Sequence, residues 1–189
     1  MASGGCPLSD PTVLIADDER QLTDVYAQWV EDRYTTRTAY CGDEAMELLD
    51  ETVDIAVLDR QMPGCSGEEI VTKIRNSGYD CRTALISANE PTLEMVDVEY
   101  DLYQVKPLTD PDEFQSLLEA LCRRSVYDPE TQRVLALASK KRDLEAYVAE
   151  SRRQNSSQYD RLCDELEALS DKLTDVRETL EAEGLSLPF

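Results

Sequence analysis

Five polar side chains stand where short apolar runs end. Asp17 and Asp18 follow TVLIA (12–16), Asp59 follows DIAVL (54–58), Ser87 closes TALIS (83–87), and Lys106 follows LYQV (102–105) just ahead of Pro107. Carboxylates brought together repel one another unless a cation lies among them. An all-oxygen site that keeps some water suits Mg²⁺, which prefers octahedral oxygen ligands. With a hydroxyl and an ammonium beside it, such a site binds a phosphoryl group: cationic groups neutralise its oxygens while a carboxylate attacks phosphorus. Histidine is absent from the chain. That excludes Ser-His-Asp and Cys-His triads, HExxH zinc sites and an internal phosphohistidine donor.

The elements that must position these groups are legible as alternation. Strand candidates are 12–16, 35–39, 54–58, 83–87 and 102–105. Between them lie amphipathic stretches, 19–31 with Leu22, Val25, Tyr26, Trp29 and Val30, 42–50, 66–77 and 110–124. Asp110 suits a helix N-cap with Pro111 in the first turn. The pattern predicts an α/β fold with a five-stranded parallel, doubly wound sheet and right-handed crossovers. Functional groups in such a sheet collect at the C-terminal strand ends, where all five polar residues fall.

After Asp128-Pro129 the texture changes. Leu162, Leu166, Leu169, Leu173, Val176 and Leu180 step by fours and threes, a heptad seam. Val134, Leu137, Leu144 and Val148 continue a similar seam upstream. Two antiparallel helices turning near Asn155-Ser156-Ser157, or one long helix, both fit, and the polar run favours the turn. The expected organisation is a flexible segment over 1–11, a globular domain over 12–124, a linker over 125–130, a helical hairpin or coiled-coil domain over 131–183, and a frayed end over 184–189.

Composition sets the surroundings. The chain has 189 residues and a formal charge of −21, which argues against direct DNA binding through a broad basic surface. Hydrophobic residues make up 41%, enough to bury a core. No stretch has the apolar length of a membrane span, and the first eleven residues lack the pattern of a secretory signal, so a cytoplasmic protein without a membrane partner is expected. Of 19 basic residues only 5 are lysine. An acidic, lysine-poor surface resembles proteins of salt-loaded cytosols such as those of halophilic archaea. The six scattered cysteines contain no CxxC and read as reduced, partly buried thiols. The basic pairs around Lys140-Lys141-Arg142 and Arg152-Arg153 read as solvated faces pairing with nearby acids.

The ordered set DD at 17–18, DRQMPGCSG at 59–67, Ser87 and YQVKP at 103–107 closely resembles the receiver domain of two-component response regulators. The resemblance covers about 12–124, and the tail is similar to the helical HalX-type domain that follows receivers in halophilic archaea. The resemblance implies that Asp59 is the phosphoacceptor, that Asp18 ligates Mg²⁺ directly and Asp17 mainly through water, and that the Gln61 backbone carbonyl is a further ligand. It implies that Lys106 pairs with Asp59 and then with phosphoryl oxygens. Ser87 would then bond the phosphoryl group, and Tyr103 would rotate into the space Ser87 leaves. Pro63 and Gly67 would shape the loop after Asp59. The donor would be a sensor histidine kinase, and the output a downstream protein partner or a homodimer, in transcription regulation or elsewhere.

One departure is the short span from Ser87 to Lys106, which leaves room only for a short helix near 91–98. It brings the usual receiver dimer mode into question. Two other functions compete. A Mg²⁺-dependent phosphatase would use Asp59 as nucleophile, but such enzymes often carry an acid two residues on, where this chain has Gln61. A non-phosphorylated helical interaction protein would have no use for the acid–Ser–Lys set.

Overall fold

The computed structural model describes Cys6 and residues 8–182, with side chains through residue 175. The expected frayed end over 184–189, and the Val176 and Leu180 side chains of the heptad seam, lie outside the described residues.

Five strands form one parallel sheet: β1 (Thr12–Ala16), β2 (Thr35–Ala39), β3 (Ile55–Asp59), β4 (Arg82–Ser87) and β5 (Leu102–Val105). Their order is β2-β1-β3-β4-β5. Register aligns Ala16 with Leu58, Asp59 with Ile86, and Ser87 with Val105. The ends of β1, β3, β4 and β5 therefore share one edge, as the alternation predicts.

Both sheet faces are covered, which is why the central strands are nearly continuous apolar runs. Successive side chains point to opposite faces. Leu14, Ala56, Leu58 and Leu85 meet Ile70, Val71 and Ile74 of α3 (Gly67–Ser77), and Ala45 of α2 (Gly42–Leu48) lies on the same side. On the other face Val13, Ile15, Val57 and Ile86 meet α1 (Arg20–Val30) and α4 (Pro111–Arg124). Tyr26 of α1 stacks on Phe114 of α4 with centroids 4.7 Å apart. Helix ends follow their caps. Ser66 and Glu69 form a reciprocal capping box at α3, and Gly78 ends that helix in the left-handed conformation at φ 69°. Asp110 caps α4 with Pro111 in its first turn.

Between β4 and β5 the chain forms a 3-10 turn, Leu93–Asp97, where a short helix near 91–98 is expected. A 3-10 helix rises about 2.0 Å per residue against about 1.5 Å in an α-helix, so it spans more distance over a short connection.

The C-terminal region is helical: α5 (Pro129–Tyr147), the single turn α6 (Glu150–Arg153) and α7 (Ser157–Ala182). Asp128 caps α5, accepting from the Glu130 and Thr131 amides at 3.0 Å each. The chain reverses through 148–156, and α7 returns along α5. Leu137, Leu144, Val148 and Leu162, flanked by Tyr159, Leu166 and Leu169, close the seam within the chain. Val96 and Leu93 of the 3-10 turn join the same cluster. The hairpin thus lies against the β4–β5 connection, with α5 beside the edge strand β5.

Two sequence expectations are corrected here. Lys140 is not on a solvated face: it is 1% exposed and donates to the Val96 and Val98 carbonyls at 2.8 and 2.6 Å. Its place on the inner side of α5 brings it over the turn, whereas Lys141 and Arg142 on the outer side do pair with Glu145 and Asp143. Second, the cysteines are not all free thiols. Cys6 and Cys122 form a disulfide, their Cα atoms 5.2 Å apart. The bond holds Cys6 against the buried side of α4, so the expected flexible segment over 1–11 is anchored at that residue.

Candidate functional site

Asp17 is fully buried just beyond β1, and its place is fixed by the main chain. Its amide donates to Ala39 O at 3.2 Å, and its carbonyl accepts from Thr23 Oγ1 at 3.0 Å. Its Oδ1 accepts from the Glu19 amide at 3.0 Å, at the start of α1. Asp18 is exposed at the mouth. Asp59 closes β3 at 6% exposure, and its Oδ2 accepts from the Gln61 amide at 2.9 Å. Asp17, Asp18 and Asp59 each offer an oxygen, all within 4.8 Å of one another.

Lys106 answers two of these carboxylates. Its Nζ lies 2.6 Å from Asp17 Oδ2 and 2.8 Å from Asp59 Oδ1. Lys106 N donates to Ser87 O at 2.8 Å, so the sheet register itself delivers the ammonium to the acids. The Lys106–Pro107 peptide is cis. Burial works against the Lys106 charge, but its bonds to Asp17 and Asp59 outweigh that cost and raise its pKa. Burial pushes the Asp59 carboxyl up, the Asp17 charge adds to this, and Lys106 partly offsets both.

Ser87 is 2% exposed at the end of β4. Its Oγ accepts from the Asn89 amide at 3.2 Å. Tyr103 is buried, and its hydroxyl donates to Asn89 O at 2.6 Å. The main-chain amide and carbonyl of Asn89 are thus both held by side chains of the neighbouring strands β4 and β5. The Asn89 side-chain amide also donates to Gln61 Oε1 at 3.3 Å, joining the loop after β3 to the loop after β4.

Gly67 lets that first loop close. A Cβ there would lie 2.4 Å from the Asp59 carbonyl, so only glycine permits α3 to start against the back of Asp59. Gly67 N donates to Arg60 O at 3.2 Å, and Arg60 Nε bonds Glu68 Oε1 at 2.6 Å.

The acids, Ser87, Lys106 and the loop at Gln61 all meet at one crevice; Tyr103 reaches it through Asn89. The sequence reading missed three features. Lys106 binds Asp17 as closely as Asp59, Thr23 holds the Asp17 carbonyl, and the Asn89 main chain bridges Ser87 and Tyr103. Main-chain partners leave no mark in residue type: the family resemblance puts Asn89 and Gln61 beside the site but gives no sign of the bridging role of the Asn89 main chain.

The donor set fits a hard divalent cation. All its ligands are oxygens, and the buried Asp17 Oδ2 has the Lys106 ammonium at 2.6 Å and accepts from no other donor among the described residues. Among those residues no helix is long and apolar enough to cross a membrane.

Comparison with known proteins agrees with this geometry. Residues 13–119 match the response regulator receiver domain, and residues 123–186 match the HalX domain. A Haloferax volcanii protein named as a transcriptional regulator is 35% identical over 175 residues, 92% of this chain and 27% of that protein. The Escherichia coli transcriptional regulatory protein CpxR is 28% identical over 124 residues, 64% of this chain and 53% of its own length. The chain thus spans about half or less of the length of these relatives. A CheY-like receiver domain from Methanospirillum hungatei superposes with a TM-score of 0.56 at 20% identity, covering 62% of this chain and 97% of that one. A Francisella receiver domain superposes at 0.53 with 25% identity, covering 61% and 98%. With over half its length in the matched segment and the acidic crevice at the expected strand ends, the chain belongs to the response regulator receiver family and carries a HalX domain after the receiver.

Proposed function

We propose that this receiver accepts a phosphoryl group on Asp59 from a sensor histidine kinase and relays the change to its helical hairpin, with an output in transcription regulation. The observation that carries this reading is the meeting of three carboxylates within 4.8 Å with one ammonium already bound to two of them.

In the transfer, an Asp59 carboxylate oxygen attacks phosphorus, the new O–P bond forms, and the P–N bond to the donor imidazole breaks with its electron pair left on nitrogen. Mg²⁺, held by Asp17, Asp18, Asp59 and the Gln61 carbonyl, would neutralise phosphoryl oxygens when bound. Lys106 exchanges part of its contact with Asp59 for a phosphoryl oxygen. Ser87, whose Oγ accepts from the Asn89 amide, rotates and donates its O–H to another, and Tyr103 follows into the space released. Water later attacks the acyl phosphate and returns Asp59 to the carboxylate. The chain has no histidine, so the donor is another protein or a small phosphodonor.

Beryllofluoride, which mimics the acyl phosphate, tests this. With Mg²⁺ present it should shift the backbone NMR signals of Asp59, Ser87 and Lys106 in the wild type and leave Asp59→Asn unchanged. Equal responses in both proteins, or none in the wild type, would overturn the assignment.

A further inference from the structure

The inner face of α5 is unusual for a packed helix: it buries Gln132, Ser139, Lys140 and Asp143 alongside Ala136, Leu137 and Leu144. These groups mostly address the receiver. Gln132 Oε1 accepts from Arg82 of β4 at 2.6 Å, and Ser139 Oγ accepts from Arg124 of α4 at 2.6 Å. Lys140 is the deepest. Its ammonium has three N–H donors, and two are matched by the Val96 and Val98 carbonyls. It also stands 4.7 Å from the centre of the Tyr100 ring, within cation–π range. The Val96 and Val98 carbonyls belong to the connection that starts at Asn89, whose amide and carbonyl are held by Ser87 and Tyr103.

We propose that Lys140 is a latch that holds the helical hairpin to the β4–β5 connection, and that loss of the Ser87–Asn89 bond at the phosphorylation site releases it. The inference rests on the receiver reading of Asp59 and adds the route and residue by which the tail responds.

The chain of contacts is short and physical. Ser87 Oγ accepts from the Asn89 amide and would donate its O–H to a phosphoryl oxygen, so it is the rotation of the side chain toward the phosphoryl group that carries Oγ away from Asn89 N. When it leaves, the Asn89 peptide loses one of its two tethers. Seven and nine residues later the same backbone presents the two carbonyls that Lys140 needs. A buried ammonium deprived of its acceptors is strongly unfavourable, so modest displacement of the turn weakens docking. The interface is also poised for release. The Tyr100 hydroxyl and Asp143 Oδ2 are buried there without hydrogen-bond partners among the described residues, and both gain solvation when the hairpin leaves. The outer ion pairs, Arg161 with Asp97 and Arg133 with Glu99, are solvent-accessible and cost little to break.

Amide hydrogen exchange on the full chain, with Mg²⁺, with and without beryllofluoride, tests the latch. Signals at 86–90 report the site, and signals at 93–98 and 137–144 report the latch. The expected result is altered exchange at the site together with exchange about fivefold or more faster at both latch segments. Lys140→Met should keep the site response, show fast exchange at 137–144 before any addition, and gain little more on addition. Lys140→Arg, which keeps the charge but not the compact head, should fall between the two. A site response in the wild type with latch exchange unchanged or slowed would overturn the latch while leaving the receiver reading intact. No site response in the wild type would overturn both. The wild-type comparison decides the matter even where Lys140→Met fails to fold.

Discussion

At the residue scale, the site is a balance of charges in which Lys106 competes with any cation for Asp17 and Asp59. Lys106→Met removes that competitor and leaves two nearly buried carboxylates unanswered. The variant should be destabilised without metal, by about 3 kcal/mol, as expected when one partner of a buried pair is lost. Saturating Mg²⁺ should restore more stability to it than to the wild type, measured as the rise in urea midpoint, while beryllofluoride binding is weakened. Gly67→Ala acts on the same carboxylate from behind. The added methyl meets the Asp59 carbonyl at 2.4 Å, so the loop must shift, at a cost of about 1–3 kcal/mol in denaturant unfolding. Lys140 carries a pH signature. Burial, reinforced by Arg133, lowers its amine to about 8 from 10.5, against the pull of Glu99, Glu165 and Asp97. The Tyr100 ring faces it from the other side. Between those two values the unfolded chain binds more protons than the folded one, so this group makes stability rise with pH there, while below that window it is protonated in both states and adds no pH dependence. The difference in urea midpoint between wild type and Lys140→Met should therefore grow as pH climbs through that window.

At the element scale, the strands and the site were readable because one rule governs both. Strands buried on two faces must be short apolar runs, and the residue after each run then stands at the sheet edge; Asp17, Asp59, Ser87 and Lys106 were found that way. Over 91–98 the short span from Ser87 to Lys106 leaves room only for a short helix, and the connection takes a 3-10 turn there. At α5 the seam of Leu137, Leu144 and Val148 was readable, but the side that meets the receiver carries Gln132, Ser139, Lys140 and Asp143 and no apolar stripe, so Lys140 read as a solvated charge. Main-chain carbonyls, which carry no residue identity, are what accept it. The α5 N-terminus lies at Asp128-Pro129, a cap followed by a first-turn proline, within the stretch 125–130 expected as a linker. Asp128→Ala removes acceptors for the Glu130 and Thr131 amides and should cost about 1 kcal/mol, visible as a lower thermal midpoint.

At the scale of the whole molecule, charge and connectivity dominate. With −21 net charge the folded chain repels itself, and the ion pairs joining hairpin to receiver are too few to cancel it. Thermal midpoints should be higher in about 1 M KCl than in about 50 mM, as screening shortens the range of that repulsion. Thiol counting under denaturing, non-reducing conditions should find four free cysteines, Cys41, Cys65, Cys81 and Cys163, with two more after reduction. The position of α5 has a further consequence. β5 is the last strand of an open sheet, and the helix beside it is joined to α4 by only a few residues. So short a tether gives the hairpin a local concentration in the millimolar range, far above that of any second copy in dilute solution. A neighbouring molecule that sought the same edge would have to displace a segment that returns as soon as it lets go. Association through this edge is therefore a contest between inter- and intramolecular partners, and protein concentration alone will not win it while the hairpin is docked.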